Sequence, residues 1–242
     1  MNDRPDDRKG LPPVRSRTAK VSRGIGLAIV SGQYPQNTVL PGVPELMERH
    51  GVSRTVLREA MKTLAGKGLI EAKARIGTRV RDREHWNLFD PDVLLWYAAS
   101  GFDERFLLQL SEMRMALEPE AAGIAAERRT DEHLQVMYAA CDRLAGDVTA
   151  EGFVDADLTF HLAVAKATGN PFMRSISTLI EVALVAVLTR SQPVLDPARH
   201  RQSAADHRAI ADAIAARDAE GARAAMRRVI QDGINALMGN PT

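Results

Sequence analysis

The sequence predicts a mainly α protein: an N-terminal winged helix-turn-helix domain followed by a C-terminal all-helical antiparallel bundle. Three observations carry that reading. Charge divides the chain, with 17 Lys and Arg against 9 Asp and Glu up to residue 85, and 15 against 22 beyond it. Apolar residues recur at helical spacing through nearly all of the later part, with few β-branched runs. Strand-like stretches are confined to two short ones flanking the basic Lys73-Ala74-Arg75-Ile76-Gly77. A net charge of +1 over 242 residues thus hides a basic first third, suited to a phosphate backbone, and an acidic remainder that DNA repels. With 45% hydrophobic residues, the chain can fill two modest cores.

Residues 1–16 are polar, basic and proline-containing, and read as a disordered arm without the apolar stretch of a signal peptide. Residues 17–82 read as the winged domain. Val21, Ile25, Ala28 and Ile29 predict a first helix over Val21–Val30. A second follows near Pro44–His50, with Gly51 as its stop. Ser53 then offers a hydroxyl to backbone N–H groups two or three residues on, as a helix N-cap does. Arg54 and Thr55 fall in the first turn and Arg58 one turn later, while Val56, Leu57, Ala60, Met61 and Leu64 make the opposite face apolar. A short helix with a buried back and Arg/Thr at its N-terminal end has what a major-groove reader needs, because Arg can grip guanine O6 and N7 together. Leu69–Ala72 and Thr78–Val80 predict the two strands of the wing, with Lys73 and Arg75 at its tip and Gly77 at the turn.

Bland readings stand beside these. Arg58 could pair with Glu59 or Glu48, Thr55 could only stabilise the helix start, and Lys73 and Arg75 could form a solvated tip. Arg54 is the sharpest signal, since a helix N-terminus disfavours cations unless a phosphate or base lies nearby.

Residues 83–90 read as a linker, and residues 91–242 as the bundle, opened by a short helix from Pro91. Helical stretches are expected at about 105–128, 131–144, 150–168, 171–190, 204–216 and 220–238. Asp157 and His161 stand at i and i+4, His207 lies on a later helix, and Arg114 and Arg190 sit among apolar neighbours. An Asp and a His on one turn, joined by a second His, can hold a divalent ion and leave positions for a carboxylate that arginines would grip. The same residues could equally be satisfied core groups. The single Cys141 excludes a disulfide framework and fits a reducing cytoplasm, and no apolar run approaches a membrane span.

Leu40-Pro41, Glu45-Leu46, Gly51-Val52-Ser53-Arg54-Thr55, Arg58-Glu59-Ala60, Gly68-Leu69-Ile70 and Gly77-Thr78 resemble the N-terminal domain of GntR-type transcriptional regulators. The family's acidic residue and following basic residue after Leu-Pro are here Val43 and Pro44, which shifts recognition onto Arg54, Thr55 and Arg58. Arg114 to Glu118, Asp157 to His161 leading into Ala167-Thr168-Gly169-Asn170-Pro171, and His207 to Ile210 resemble the helical ligand-binding (FCD) domain of the FadR-like branch. That resemblance implies a sensor of small carboxylates with a metal (Zn, Ni or Mn) on Asp157, His161 and His207. The family's last His is replaced by Val229. It also implies effector contacts from Arg114, Asn170, Arg190 and His207. The segment from His85 to Trp96, with Glu112-Met113-Arg114 and Glu118-Pro119, is similar to sugar-acid-responsive repressors, which implies an aldonate-type effector. A homodimer on a palindromic operator is expected, since two recognition helices one DNA turn apart multiply weak half-site affinities. A DNA-tethered metal enzyme is disfavoured by the lack of a nucleophile–base pair, and a sequence-blind DNA binder leaves the acidic bundle without a purpose.

Overall fold

The computed structural model describes residues 16–101, 104–146, 148–175, 180–182, 184–185 and 196–239. The chain divides into two compact units, Met1–Phe102 and Asp103–Thr242.

In the first unit, α1 (Arg17–Val30), α2 (Val43–His50) and α3 (Arg54–Gly66) are followed by β1 (Ile70–Lys73) and β2 (Gly77–Val80). Ile25, Leu27, Ile29, Leu46, Leu57, Leu64 and Leu69 are almost fully buried and form the core on which α2 and α3 dock. Gly51 ends α2 in the left-handed region (φ 60°), which lets the chain turn directly into α3. Ser53 caps α3 through its hydroxyl, which accepts from Val56 N–H. The strands pair antiparallel in the register Ile70↔Val80 to Lys73↔Gly77. Val39 adds an isolated bridge to Arg79, and Leu40 N–H donates to Thr78 C=O, so the stretch before α2 borders the wing.

After a 3-10 turn at Arg83–His85, α4 (Pro91–Ser100) is capped by Asp90, whose carboxylate accepts from Asp92 and Val93 N–H. The sequence reading placed this helix at the head of the bundle. It packs instead within the first unit, against α1. Two contacts fix it there. Trp96 is buried against Gly26, where any side chain would collide with the indole. Lys67, just past α3, donates to Asp90 at 2.6 Å and reaches Asp92 at 2.8 Å, with its ammonium 5.7 Å from the Trp96 ring centre. The second unit therefore begins near residue 103 rather than 91.

That unit contains α5 (Glu104–Arg128), α6 (Asp131–Ala145), α7 (Ala150–Ala167), α8 (Pro171–Ser175), α9 (Pro197–Ala215) and α10 (Ala219–Leu237). Thr130, Thr149, Asp196 and Asp218 cap α6, α7, α9 and α10. The Asp196-Pro197 pair starts α9 at Pro197, ahead of the Ala204 that apolar spacing suggested, because Pro is pre-set for the first helical turn. Of the helix expected at 171–190, residues 176–179, 183 and 186–190 lie outside the described residues. The core is alanine-rich, and Ala121, Ala122, Ala125, Ala163, Ala211, Ala222 and Ala225 allow close helix approach around Phe160, Met137 and Met226. Among the described residues, no helix is long and apolar enough to cross a membrane.

Candidate functional site

On α3 the apolar positions Leu57, Ala60 and Leu64 are buried, which turns Arg54, Thr55 and Arg58 outward together. Arg58 Nε lies 3.5 Å from Glu59, a contact between exposed side chains that is worth little. Among the described residues Arg54 has no ion-pair partner. At the wing tip, Ile76 N–H donates to Lys73 C=O, Arg75 sits at φ 62° and Gly77 at φ 116°. Lys73 lies 3.1 Å from Glu71, and Arg75 is exposed. The predicted basic residues thus occupy the two exposed elements of one small fold.

The second unit holds a buried polar cluster built from α5, α7 and α9. Arg114, Glu118, Asp157, His161 and His207 are each no more than 4% exposed. Arg114 Nε donates to Glu118 Oε1 at 2.5 Å and Nη2 reaches Oε2 at 3.4 Å. Glu118 Oε2 also lies 2.5 Å from His161 Nδ1, off the line of a well-directed hydrogen bond. Asp157 Oδ1 is 3.0 Å from His207 Nε2, and Oδ2 is 3.7 Å from His161 Nε2. On its other side His207 Nδ1 lies 2.7 Å from the Ser203 carbonyl. A carbonyl can only accept, so Nδ1 carries a proton, and it is Nε2, facing Asp157, whose lone pair is freed when the ring is deprotonated.

Burial alone would raise the Glu118 carboxyl, but Arg114, and then His161, beside it outweigh that and hold the pKa at about 2. Burial likewise opposes ionisation of Asp157, and the neighbouring His207, then His161 and Arg114, bring its pKa below the usual value. For His207, burial works downward, and Asp157 with the Ser203 carbonyl carries its pKa upward overall.

Asp157 Oδ2, His161 Nε2 and His207 Nε2 are buried and make no well-directed hydrogen bond, His207 Nε2 approaching Asp157 Oδ1 off line. Buried polar atoms left unsatisfied are costly, and a cluster of them signals an additional group. Asp157, His161 and His207 each offer one ligand atom, all within 4.8 Å of one another. One carboxylate and two imidazoles form a donor set that fits a divalent transition metal. The three predicted ligands are therefore brought together. Val229, at the expected fourth position, is half-buried against the apolar core.

Of the other predicted contacts, Arg114 lies in the cluster and Asn170 outside it. Arg114 has two of its nitrogens on Glu118. Asn170 uses its amide oxygen to accept from Phe172 N–H at the start of α8. Arg190 lies outside the described residues. Glu118 and Ser203 had not been singled out for the site. Glu118 carried a signal, because with Arg114 it interrupts the α5 stripe that continues through Ala121, Ala122 and Ala125. The Ser203 contribution is a backbone carbonyl, which no side-chain pattern reveals.

Comparison with known proteins assigns both units to known domain families. Residues 18–80 match the model of bacterial regulatory proteins of the gntR family, and residues 109–232 match the FCD domain. The chain is 34% identical over 223 residues to the galactonate operon transcriptional repressor of Escherichia coli K12, covering 92% of this chain and 97% of that protein. It is 29% identical to the transcriptional regulator LutR of Bacillus subtilis, covering 82% and 90%. The solved structure of Lar, which controls the Listeria monocytogenes agr system, superposes with a TM-score of 0.64 over 94% of this chain and 99% of that one, at 19% identity. The chain belongs to the GntR family, as a DNA-binding transcriptional regulator with an FCD effector domain and not an enzyme.

Proposed function

We propose that the protein is a cytoplasmic homodimeric repressor of a sugar-acid catabolic operon, released from a palindromic operator when an aldonate binds the second unit. The observation that carries this is the buried trio of unpartnered ligand atoms on Asp157, His161 and His207, in a chain whose relative represses a galactonate operon. As a metal ligand an imidazole is neutral, and Arg114 against Glu118 and Asp157 then leaves the cluster one negative charge before the ion is counted. A divalent ion held by Asp157, His161 and His207 would reverse that sign and present a Lewis acid to the effector's carboxylate and hydroxyl oxygens. Glu118 and the Ser203 carbonyl orient the two rings, and Arg114 holds Glu118 ionised. Arg190, Asn170 and the remaining amino group of Arg114 are the candidate donors to the effector. On the DNA side, Ser53 sets the start of α3, Arg54, Thr55 and Arg58 face the major groove, and Lys73, Arg75 and Gly77 place the wing on the backbone.

Fluorescence anisotropy on a duplex from the protein's own upstream region tests this, with a panel of aldonates, 2-hydroxy acids and dicarboxylates, each with and without chelator. Release by one aldonate, abolished by chelator, is the expected result. Tight binding indifferent to every aldonate would leave the DNA reader and remove the sugar-acid assignment.

A further inference from the structure

Four large apolar side chains of the first unit stand exposed among the described residues: Val39, Val43, Ile76 and Phe89. Three of them, Val39, Val43 and Ile76, line one groove between the start of α2, the outward face of α3 and the wing. Arg54 and Arg58 line the same groove, and its described lining contains no carboxylate. An apolar trough bordered only by cations is complementary to a nucleic-acid strand, whose sugars and thymine methyls are apolar and whose phosphates are anionic.

Val43 has the most specific position. It is the first residue of α2, 41% exposed, and Pro44 follows it with a fixed φ, so its side chain is presented from a stiff point. Val43 and Arg54 also share the lining of a second depression, with Met47, Val52 and the carboxylate-bearing Glu48. Arg54 is thus accompanied by Val43 in both. An arginine that reads guanine, with a branched apolar group beside it, can recognise two adjacent bases, because thymine alone carries a C5 methyl in the major groove.

We infer that Val43 contacts the C5 methyl of a thymine adjacent to the guanine read by Arg54, so that each half-site contains that pair of bases. The inference rests on the major-groove reading of α3. The experiment uses the full-length protein and a duplex it selects from a randomised library. Each thymine of the selected site is replaced singly by deoxyuridine, which removes only the methyl, and Kd is measured for the wild type, Val43→Ala and Ile76→Ala. One thymine per half-site, next to a guanine, should weaken wild-type binding about two- to fourfold when demethylated, in keeping with the burial of up to one methyl. Val43→Ala should not respond at that position, and Ile76→Ala should respond as the wild type does. Equal losses in wild type and Val43→Ala at every position, or no loss anywhere, would overturn the assignment while leaving α3 as the reader. Selection of no preferred sequence would instead overturn the major-groove reading, and the Val43 contact with it. A change of oligomeric state in Val43→Ala, with its deoxyuridine response intact, would make the groove a protein interface and also overturn the inference.

Discussion

Arg54 and Arg58 lie one turn apart on the outward side of α3, and Arg58 has only a long, exposed contact to Glu59. Because that contact contributes little to folding, replacing either arginine should leave stability nearly unchanged and act on DNA binding. Arg54→Ala and Arg58→Ala are each expected to cost about 1–3 kcal/mol on the preferred site and to relax the preference at one base pair. Titrations on preferred and scrambled duplexes separate base reading from phosphate contact, since uniform losses with a reduced salt slope would mark phosphate contacts. Cys141 presents the opposite residue-scale case. Burial pushes its thiol up to about 12, with Asp142 and Asp212 assisting and Arg208 opposing. An acid whose folded pKa lies above its unfolded value favours the unfolded state once the unfolded thiol ionises, so stability should fall as pH rises from the ordinary thiol range toward 12. At pH near 8 the folded protein should resist a disulfide reagent such as DTNB and release one equivalent only in guanidinium. Prompt labelling of the native protein would contradict that burial.

Helix limits in the first unit were largely legible, because they are written in local chemistry: Ser53 as a cap, Gly51 as a stop, Asp90-Pro91 as a start. The unit to which α4 belongs was not. Its attachment depends on Trp96 meeting Gly26, some seventy residues earlier, and on Lys67 reaching Asp90 and Asp92, neither of which is implied by periodicity. Gly26 permits a direct test in which two effects oppose each other. In an open helix Gly→Ala gains about 1 kcal/mol of helix propensity. Here the new methyl would meet the buried indole, and overpacking in a well-packed core costs typically about 1–3 kcal/mol. Because the indole is rigid and buried, the steric term should win. Gly26→Ala should lower the urea midpoint and shift Trp emission, and Gly26→Ala with Trp96→Leu should recover part of the loss. A Gly26→Ala protein more stable than the wild type would show that α1 and α4 are not held by this contact.

Across the whole molecule, the buried cluster brings together residues from three helices and depends on the bundle as a scaffold. Asp157 and His161 were legible through their shared helix face. His207 was a candidate third ligand from its place on a later helix, strengthened by resemblance, and the roles of Glu118 and Ser203 arise only from tertiary packing. Asp157, His161 and His207 bring three ligand atoms together in a low-dielectric interior, so a divalent ion should stabilise the folded state by mass action, by RT ln(1 + [L]/Kd). The melting temperature of chelator-treated protein should therefore rise with added Zn, Ni or Mn, and the rise should vanish in His161→Ala. Val229→His tests the half-buried position from which the family's fourth ligand is missing. If the α10 position faces the same ion, the variant should bind Zn more tightly in native mass spectrometry and resist chelator for longer, while DNA affinity without effector stays unchanged. His207→Ala should likewise keep its DNA affinity but lose both the metal-dependent rise in melting temperature and release by the effector. Unaltered melting of the wild type across a metal series would leave the three orphaned atoms to water or protons, and the effector's carboxylate would then have to be met by arginine alone.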